Sequence, residues 1–328
     1  MGTEAGIRIV SVHNADTDWV ASGDTQFSAL YFGERKTPTS PVALFVRAGK
    51  EVGDRIAGLR THETPVMIVI MAGSAEIDGR WLVPGQIEVI PEGVPHGDMV
   101  VGPDGVTLLL LFARRSGLIP TFVDPADQSA FEEDLRSGVE LAAQGLSEES
   151  VALLPPRETH TPRRGIKVLD FESGEVGVAP PHEGQPGVIY THLTDDSLPW
   201  GPRLLNARTA LIVLGDVSDP SAPTVGVIDV QPGPGDRLRG RHLHHCDAVN
   251  LVLRGALYMD GVWLRPGGAK IVDSELVYGD ALVGPEGVNF IEIWSRQDGA
   301  EPLFNDPDDQ KYFDNIKAKG HLTERVSL

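Results

Sequence analysis

The chain has 328 residues, 41% of them hydrophobic and 23% charged, enough to bury a sizeable core and, at ordinary domain sizes, to make two domains. Its 28 Lys and Arg stand against 47 Asp and Glu, a formal charge of −19, which excludes nucleic acid or an anionic membrane surface as the main partner. A single cysteine, Cys246, excludes an intrachain disulfide, and no apolar run reaches the roughly 18 residues of a membrane span.

The opening segment, MGTEAGIRIV, has neither the basic region nor the apolar run of a secretory leader, so a cytoplasmic protein is expected. Short runs of β-formers follow, VALFVRAG, PVMIVIMAG, AEIDGRWLVPG, QIEVIP and VTLLLLFAR, each bounded by turn residues. With 37 Gly and 25 Pro punctuating them, they read as an all-β barrel or sandwich. Asp78-Gly79 predicts a hairpin, because both central residues of a type I′ turn need positive φ. Asp124-Pro125 supplies a cap and a first-turn proline to a short helix on which Phe131, Leu135 and Val139 recur every fourth residue. Residues 145–163, with Gly145, Pro155-Pro156 and Pro162, read as a linker between an N-terminal domain, 1–144, and a C-terminal domain, 164–328.

The second half repeats the first. TVGVIDVQPG, AVNLVLRG, ALYMDGVWLRPG, AKIVDS and VNFIEIWS follow in the same order, Asp260-Gly261 takes the place of Asp78-Gly79, and Asp306-Pro307 that of Asp124-Pro125. A shift of 182 positions superposes residues 53–131 on 235–313 without a gap, with about 28 of 79 positions identical, far above chance. Two barrels of one design are expected, each trailed by a helix.

These landmarks resemble the cupin superfamily, whose motifs are a His-x-His with a following Glu, and a later Pro-x-Gly leading to a third His. The first copy has Gly85-QIEVI-Pro91-Glu92-Gly93-Val94-Pro95-His96 nearly complete, and an altered first motif, Arg60-Thr61-His62, with Val66 at the Glu position. In the second copy His242-Leu243-His244 is intact, with Ala248 at the Glu position and Tyr278 at that of the third His. The resemblance implies a bicupin: two tandem jelly-roll β-barrels with short peripheral helices. It also implies a divalent metal, Fe, Mn, Ni, Co or Zn, held inside a barrel by three His and one Glu, and pairing of chains into homodimers through barrel faces.

Neither copy keeps the full ligand set. Residues two apart on a strand share a face, so His242 and His244 point together into the second barrel and are the expected metal ligands. Tyr278 is a candidate ligand or substrate-directed group, and Glu292, inside the apolar strand VNFIEIW, is a candidate base or ligand. In the first copy Arg60 stands where a cation would be bound, so Arg60, His62 and His96 read as a metal-free acid/base or anion-holding group. Asn250 and Val252 should line the second barrel, and His245 should face outward. The leading expectation is a small-molecule enzyme that oxygenates, isomerises or cyclises a carbonyl or enol compound at a metal in the second barrel. Metal-free catalysis by His62, His96 and Arg60, and a non-catalytic metabolite-binding bicupin, are the alternatives.

Overall fold

The computed structural model describes residues 7–11, 20–22, 25–31, 37–48, 55–133, 189–196, 198, 200–201, 206–231, 240–318 and 325–327. The expected linker, the helical positions Leu135 and Val139, and the turn at Gly233-Pro234-Gly235 lie outside them. Two large sheets dominate. The first runs, in spatial order, Ile189–His192, Gln86–Ile90, Val66–Ile77, Met99–Phe112, Val42–Ala48, Thr25–Tyr31 and Val20–Ser22, with Arg55–Ala57 and Arg80–Leu82 attached beside it. The second runs Ile7–Ser11, Gly268–Val272, Ala248–Met259, Leu282–Trp294, Thr224–Val230, Ala207–Val213 and Arg325–Ser327, with Val262–Leu264 attached. Two short pairs, Arg60–Thr61 with Thr121–Phe122 and His242–Leu243 with Leu303–Phe304, complete the barrels. A helix follows each, at 125–133 and at Pro307–Ala318.

The repeat is wider in the structure than in sequence identity. The same shift that carries Asp78 onto Asp260 carries Thr25–Tyr31 onto Ala207–Val213 and Val42–Ala48 onto Thr224–Val230. Both hairpins are type I′ as predicted, with φ of 50° and 81° at Asp78-Gly79 and 46° and 89° at Asp260-Gly261.

Strand pairing crosses between the halves twice. Ile7–Ser11 lies antiparallel to Gly268–Val272, and Ile189–His192 lies antiparallel to Gln86–Ile90. Each half therefore lends its first described strand to the other's sheet. Strand alternation then sorts the core into three parts. Ile68, Ile70, Leu108 and Leu110 fill the first barrel, and Val252, Leu257, Val288 and Phe290 the second. Met67 and Val69, on the opposite face, meet Val249, Leu251, Ile291 and Ile293 in a shared seam. At about 1.5–3 kcal/mol for each fully buried large aliphatic side chain, that seam holds the barrels together.

Candidate metal centre in the second barrel

His242 and His244 enter the second barrel side by side, 5% and 2% exposed, while His245 between that pair and Cys246 turns outward to Glu275. Cys246 is buried beneath Gly299, where burial pushes its thiol up to about 11 and makes it a small core residue. A backbone bridge joins His242 to Tyr278, and the central strands place Asn250 directly opposite Glu292. Positions 248, 250 and 252 and positions 290, 292 and 294 all face inward by alternation, so Glu292 brings a carboxylate to the barrel interior from the strand beside Ala248. Ligand atoms of His242, His244 and Glu292 lie within 4.8 Å of one another, and among the described residues this is the one such cluster of three.

The local bonds suit a cation. The Gly240 carbonyl can only accept, so His242 donates to it from Nδ1 at 2.8 Å and carries its lone pair on Nε2. Trp294 donates from Nε1 to His244 Nε2 at 3.4 Å, which engages the lone pair of that nitrogen, so a cation ligated there would displace the indole; the nitrogen stands 3.8 Å from Glu292 Oε1. Tyr278 donates its hydroxyl to Glu292 Oε1 at 2.7 Å. Burial, the Glu292 charge and that hydrogen bond push the Tyr278 hydroxyl well above its ordinary range, partly offset by the Asn250 amide nearby. The phenol thus stays protonated. Two neutral imidazoles and one carboxylate are hard-to-borderline donors of the kind divalent transition metals take.

Behind this cluster Lys270 is fully buried and forms an ion pair with Asp260 of the hairpin, its Nζ 5.0 Å from the centre of the Tyr278 ring. Burial lowers the Lys270 ammonium from its ordinary value, and Asp260 opposes that shift. Sequence reasoning passed over Lys270. The available signal was a charged residue at an inward position of the otherwise apolar strand Gly268–Val272.

The first barrel is built from the same positions with different chemistry. Arg60, at the place of His242, is buried and donates from Nη1 to the carbonyls of Gly58 at 3.2 Å and Gly97 at 3.0 Å, and from Nε to His62 Nε2 at 3.3 Å. Gly97 has φ of 80°, and a Cβ there would lie 2.7 Å from Arg60 Nη1, so glycine is needed on both counts. His62 in turn donates from Nδ1 to Gly117 O at 3.1 Å, and His96 from Nδ1 to Val94 O at 2.9 Å. The two rings are 5.2 Å apart. Burial first, then the Arg60 charge, holds His62 down to about 2 and His96 down to about 4, so both are neutral. Arg60 itself is lowered to about 10 by burial, against the opposing charges of Asp78 and Glu88.

Glu88 and Lys270 occupy matched positions, as do Asp78 and Asp260. Each barrel sets a buried cation against its hairpin aspartate, Arg60 in the first and Lys270 in the second. Moving it leaves the place of Arg60 open to His242. Glu292 replaces Leu110 in the same way, and Asn250 replaces Ile68.

A small cavity opens on this cluster, lined by the polar residues His242, Asn250 and Glu292 and by apolar ones, among them Ile228, Met259, Ala281 and Phe290. Among the described residues no helix is long and apolar enough to cross a membrane.

No family model and no curated protein matches the chain. Among solved structures it is similar to a mutant of Bacillus subtilis oxalate decarboxylase, with TM-score 0.52, 17% identity, 93% of this chain and 81% of that one covered. A second Bacillus subtilis structure, described for the Mn(II) centres of the same enzyme, matches with the same TM-score of 0.52. The formate complex of Lactobacillus farciminis oxalate decarboxylase gives TM-score 0.55 at 14% identity, covering 98% of this chain and 95% of that one.

Proposed function

From the bicupin fold of this chain we propose that the second barrel is the working site of a small-molecule enzyme, with a divalent metal held by His242, His244 and Glu292. The observation that carries the reading is the convergence of those three ligand atoms within 4.8 Å inside one barrel. The solved oxalate decarboxylases, one described for its Mn(II) centres, support a small organic substrate and Mn(II) as the first metal to try. Bound there, a divalent ion supplies Lewis-acid polarisation of a carbonyl or enol oxygen.

The chain's own residues do the rest. The Gly240 carbonyl fixes the His242 imidazole with its lone pair on Nε2, while the Trp294 indole donates to His244 Nε2 and would yield that lone pair to the metal. Tyr278 keeps its proton in a hydrogen bond to Glu292, with its Oη 2.7 Å from Oε1, from where the proton can be passed to an oxygen or carbon of the substrate. Tyr278 is 1% exposed, so bulk water is kept from that proton. Isomerisation, cyclisation or oxygenation of a carbonyl or enol compound suits this arrangement.

Metal-free catalysis by Arg60, His62 and His96 has less support. Arg60 and His62 are engaged in hydrogen bonds to each other and to the main chain. We read the first barrel as the structural half. A cytoplasmic location and pairing of chains into homodimers complete the reading.

Metal analysis tests it. Full-length protein reconstituted with Mn(II) and desalted is expected to hold about one metal per chain. His62→Ala should keep that metal, and His242→Ala and Glu292→Gln should lose it. Negligible metal in the reconstituted wild type overturns the reading.

A further inference from the structure

In both barrels the second histidine of the motif has its Nε2 capped by a donor from the protein itself, and the two donors differ in kind. His62 Nε2 accepts from Arg60 Nε at 3.3 Å, and Arg60 is tied down by the carbonyls of Gly58 and Gly97. His244 Nε2 accepts from Trp294 Nε1 at 3.4 Å, and among the described residues that is the indole's sole hydrogen bond. Room for the indole comes from its neighbours. The first barrel packs Phe112, Leu44 and Val66 into its core, and the matched residues of the second are Trp294, Gly226 and Ala248. A Cβ on Gly226 would lie 2.9 Å from Cη2 and Cζ3 of Trp294, so the indole fills the volume a side chain there would need, and Ala248 is its cross-strand neighbour. One residue enlarged and two trimmed keeps the packing full while bringing to His244 an N–H that phenylalanine lacks.

His242 and Glu292 line the cavity, and His244 does not. With no cation in the barrel, Tyr278 donates to Glu292 and Trp294 to His244, so these two buried acceptors are satisfied by the protein's own donors. Resting on the metal-site reading above, we infer that Trp294 is a latch on the metal site: its indole holds the His244 lone pair in the metal-free barrel, must leave it for a metal to be held there, and so sets the metal concentration at which the barrel fills. Filling deprives one buried N–H of its acceptor, which weakens metal binding about tenfold relative to a barrel with phenylalanine at 294. Trp294 acts through His244 and is a positioning residue. In the first barrel the corresponding cap carries a charge and two main-chain anchors, so it stays in place.

Two variants remove the N–H without touching a proposed ligand: Trp294→Phe, and Trp294→Phe combined with Gly226→Leu, the pair the first barrel carries. Calorimetric titration of the full chain with Mn(II) and with Zn(II) should give dissociation constants about tenfold lower in both variants than in wild type. Thermal melts identify a variant that fails to fold; the double variant, which refills the vacated space, then carries the comparison. A second readout follows the indole itself. The five tryptophans give five indole N–H resonances in isotope-labelled protein, and the one missing from the Trp294→Phe spectrum belongs to Trp294. Zn(II), which is diamagnetic and takes nitrogen and oxygen donors, should move that proton upfield as its hydrogen bond to His244 is lost, and leave the others in place. Should only Mn(II) bind, its affinity ratio decides. Metal bound at about one per chain with the Trp294 resonance unmoved, or with variants that bind no more tightly than wild type, overturns the latch alone. A wild type that takes up neither metal takes down the site reading and this one together.

Discussion

The Tyr278 hydroxyl donates to Glu292 Oε1 at 2.7 Å, and both groups are buried, 1% and 4% exposed. Tyr278 stands where the first copy has His96, and Glu292 where it has Leu110, so this bond has no counterpart in the first barrel.

Removing that donor leaves a buried carboxylate short of one hydrogen bond. Tyr278→Phe should therefore lower the stability of the metal-free protein by about 1–3 kcal/mol, measured from the urea midpoint. Mn(II) should narrow the gap, because the cation compensates the same charge. An equal loss with and without metal would count against Glu292 as a ligand.

The exchanged positions of the buried cation predict a specific coupling. Lys270→Glu alone places a carboxylate beside Asp260 and should cost at least about 3 kcal/mol, the scale of a broken buried ion pair. Adding His242→Arg rebuilds the arrangement of Arg60, Asp78 and Glu88, so the double variant should recover about 1 kcal/mol or more beyond additivity. It should bind no metal. A double-mutant cycle with no favourable coupling would show that the two barrels do not use interchangeable charge plans.

Acid should destabilise the first barrel through its histidines. His96 is held down to about 4 and His62 to about 2, against 6.5 for the free side chain, so below pH 6.5 the unfolded chain takes up protons that the folded chain refuses. Their contribution is complete above pH 6.5 and falls steadily as pH drops towards 4, where His96 begins to protonate in the fold. Replacing His96 with Gln should flatten the difference in urea midpoint between pH 7 and pH 4.5. An unchanged slope would mean that His96 titrates normally.

Much of this was readable in the sequence. The hairpins at Asp78-Gly79 and Asp260-Gly261 announced themselves because few other residue pairs accept two successive positive φ values. The inward direction of His62, His242, His244 and Asn250 followed from strand alternation, as did the outward turn of His245; that Glu292 faces inward did not, because a carboxylate in an apolar strand fits an edge or solvent-facing position as well. Other features depend on contacts distant in the chain. IRIVS reads as a strand, but its alternation is satisfied equally by either barrel, and nothing local assigns it to Gly268–Val272. Lys270 reads as an oddity until Asp260, ten positions earlier on a turning hairpin, is seen to fold back onto it. The meeting of Tyr278 with Glu292 likewise needs the register of two strands and not their composition.

The lent strand makes a further expectation measurable. Deleting residues 1–12 removes one of the two strand partners of Gly268–Val272, an element far away in sequence, and leaves it paired to Ala248–Met259 alone. Hydrogen exchange should then rise at amides 268–272, while 86–90, paired to Ile189–His192, keep their protection. Loss of protection spread evenly over both barrels would argue that the strand only adds to general stability.

That reciprocal loan bears on how such a chain can arise. A lone copy of the repeat, carrying its first strand but no second half to receive it, would leave one sheet edge uncovered and one strand without a sheet. Two such copies meeting would satisfy both needs at once, which is the geometry of a domain-swapped dimer. Tandem fusion converts that encounter between molecules into a fixed neighbour at high effective concentration. With assembly guaranteed by the covalent connection, the two copies no longer have to be alike. One is free to keep Arg60 as its own permanent cation and serve as scaffold, and the other to trade it for His242 and take its cation from solution.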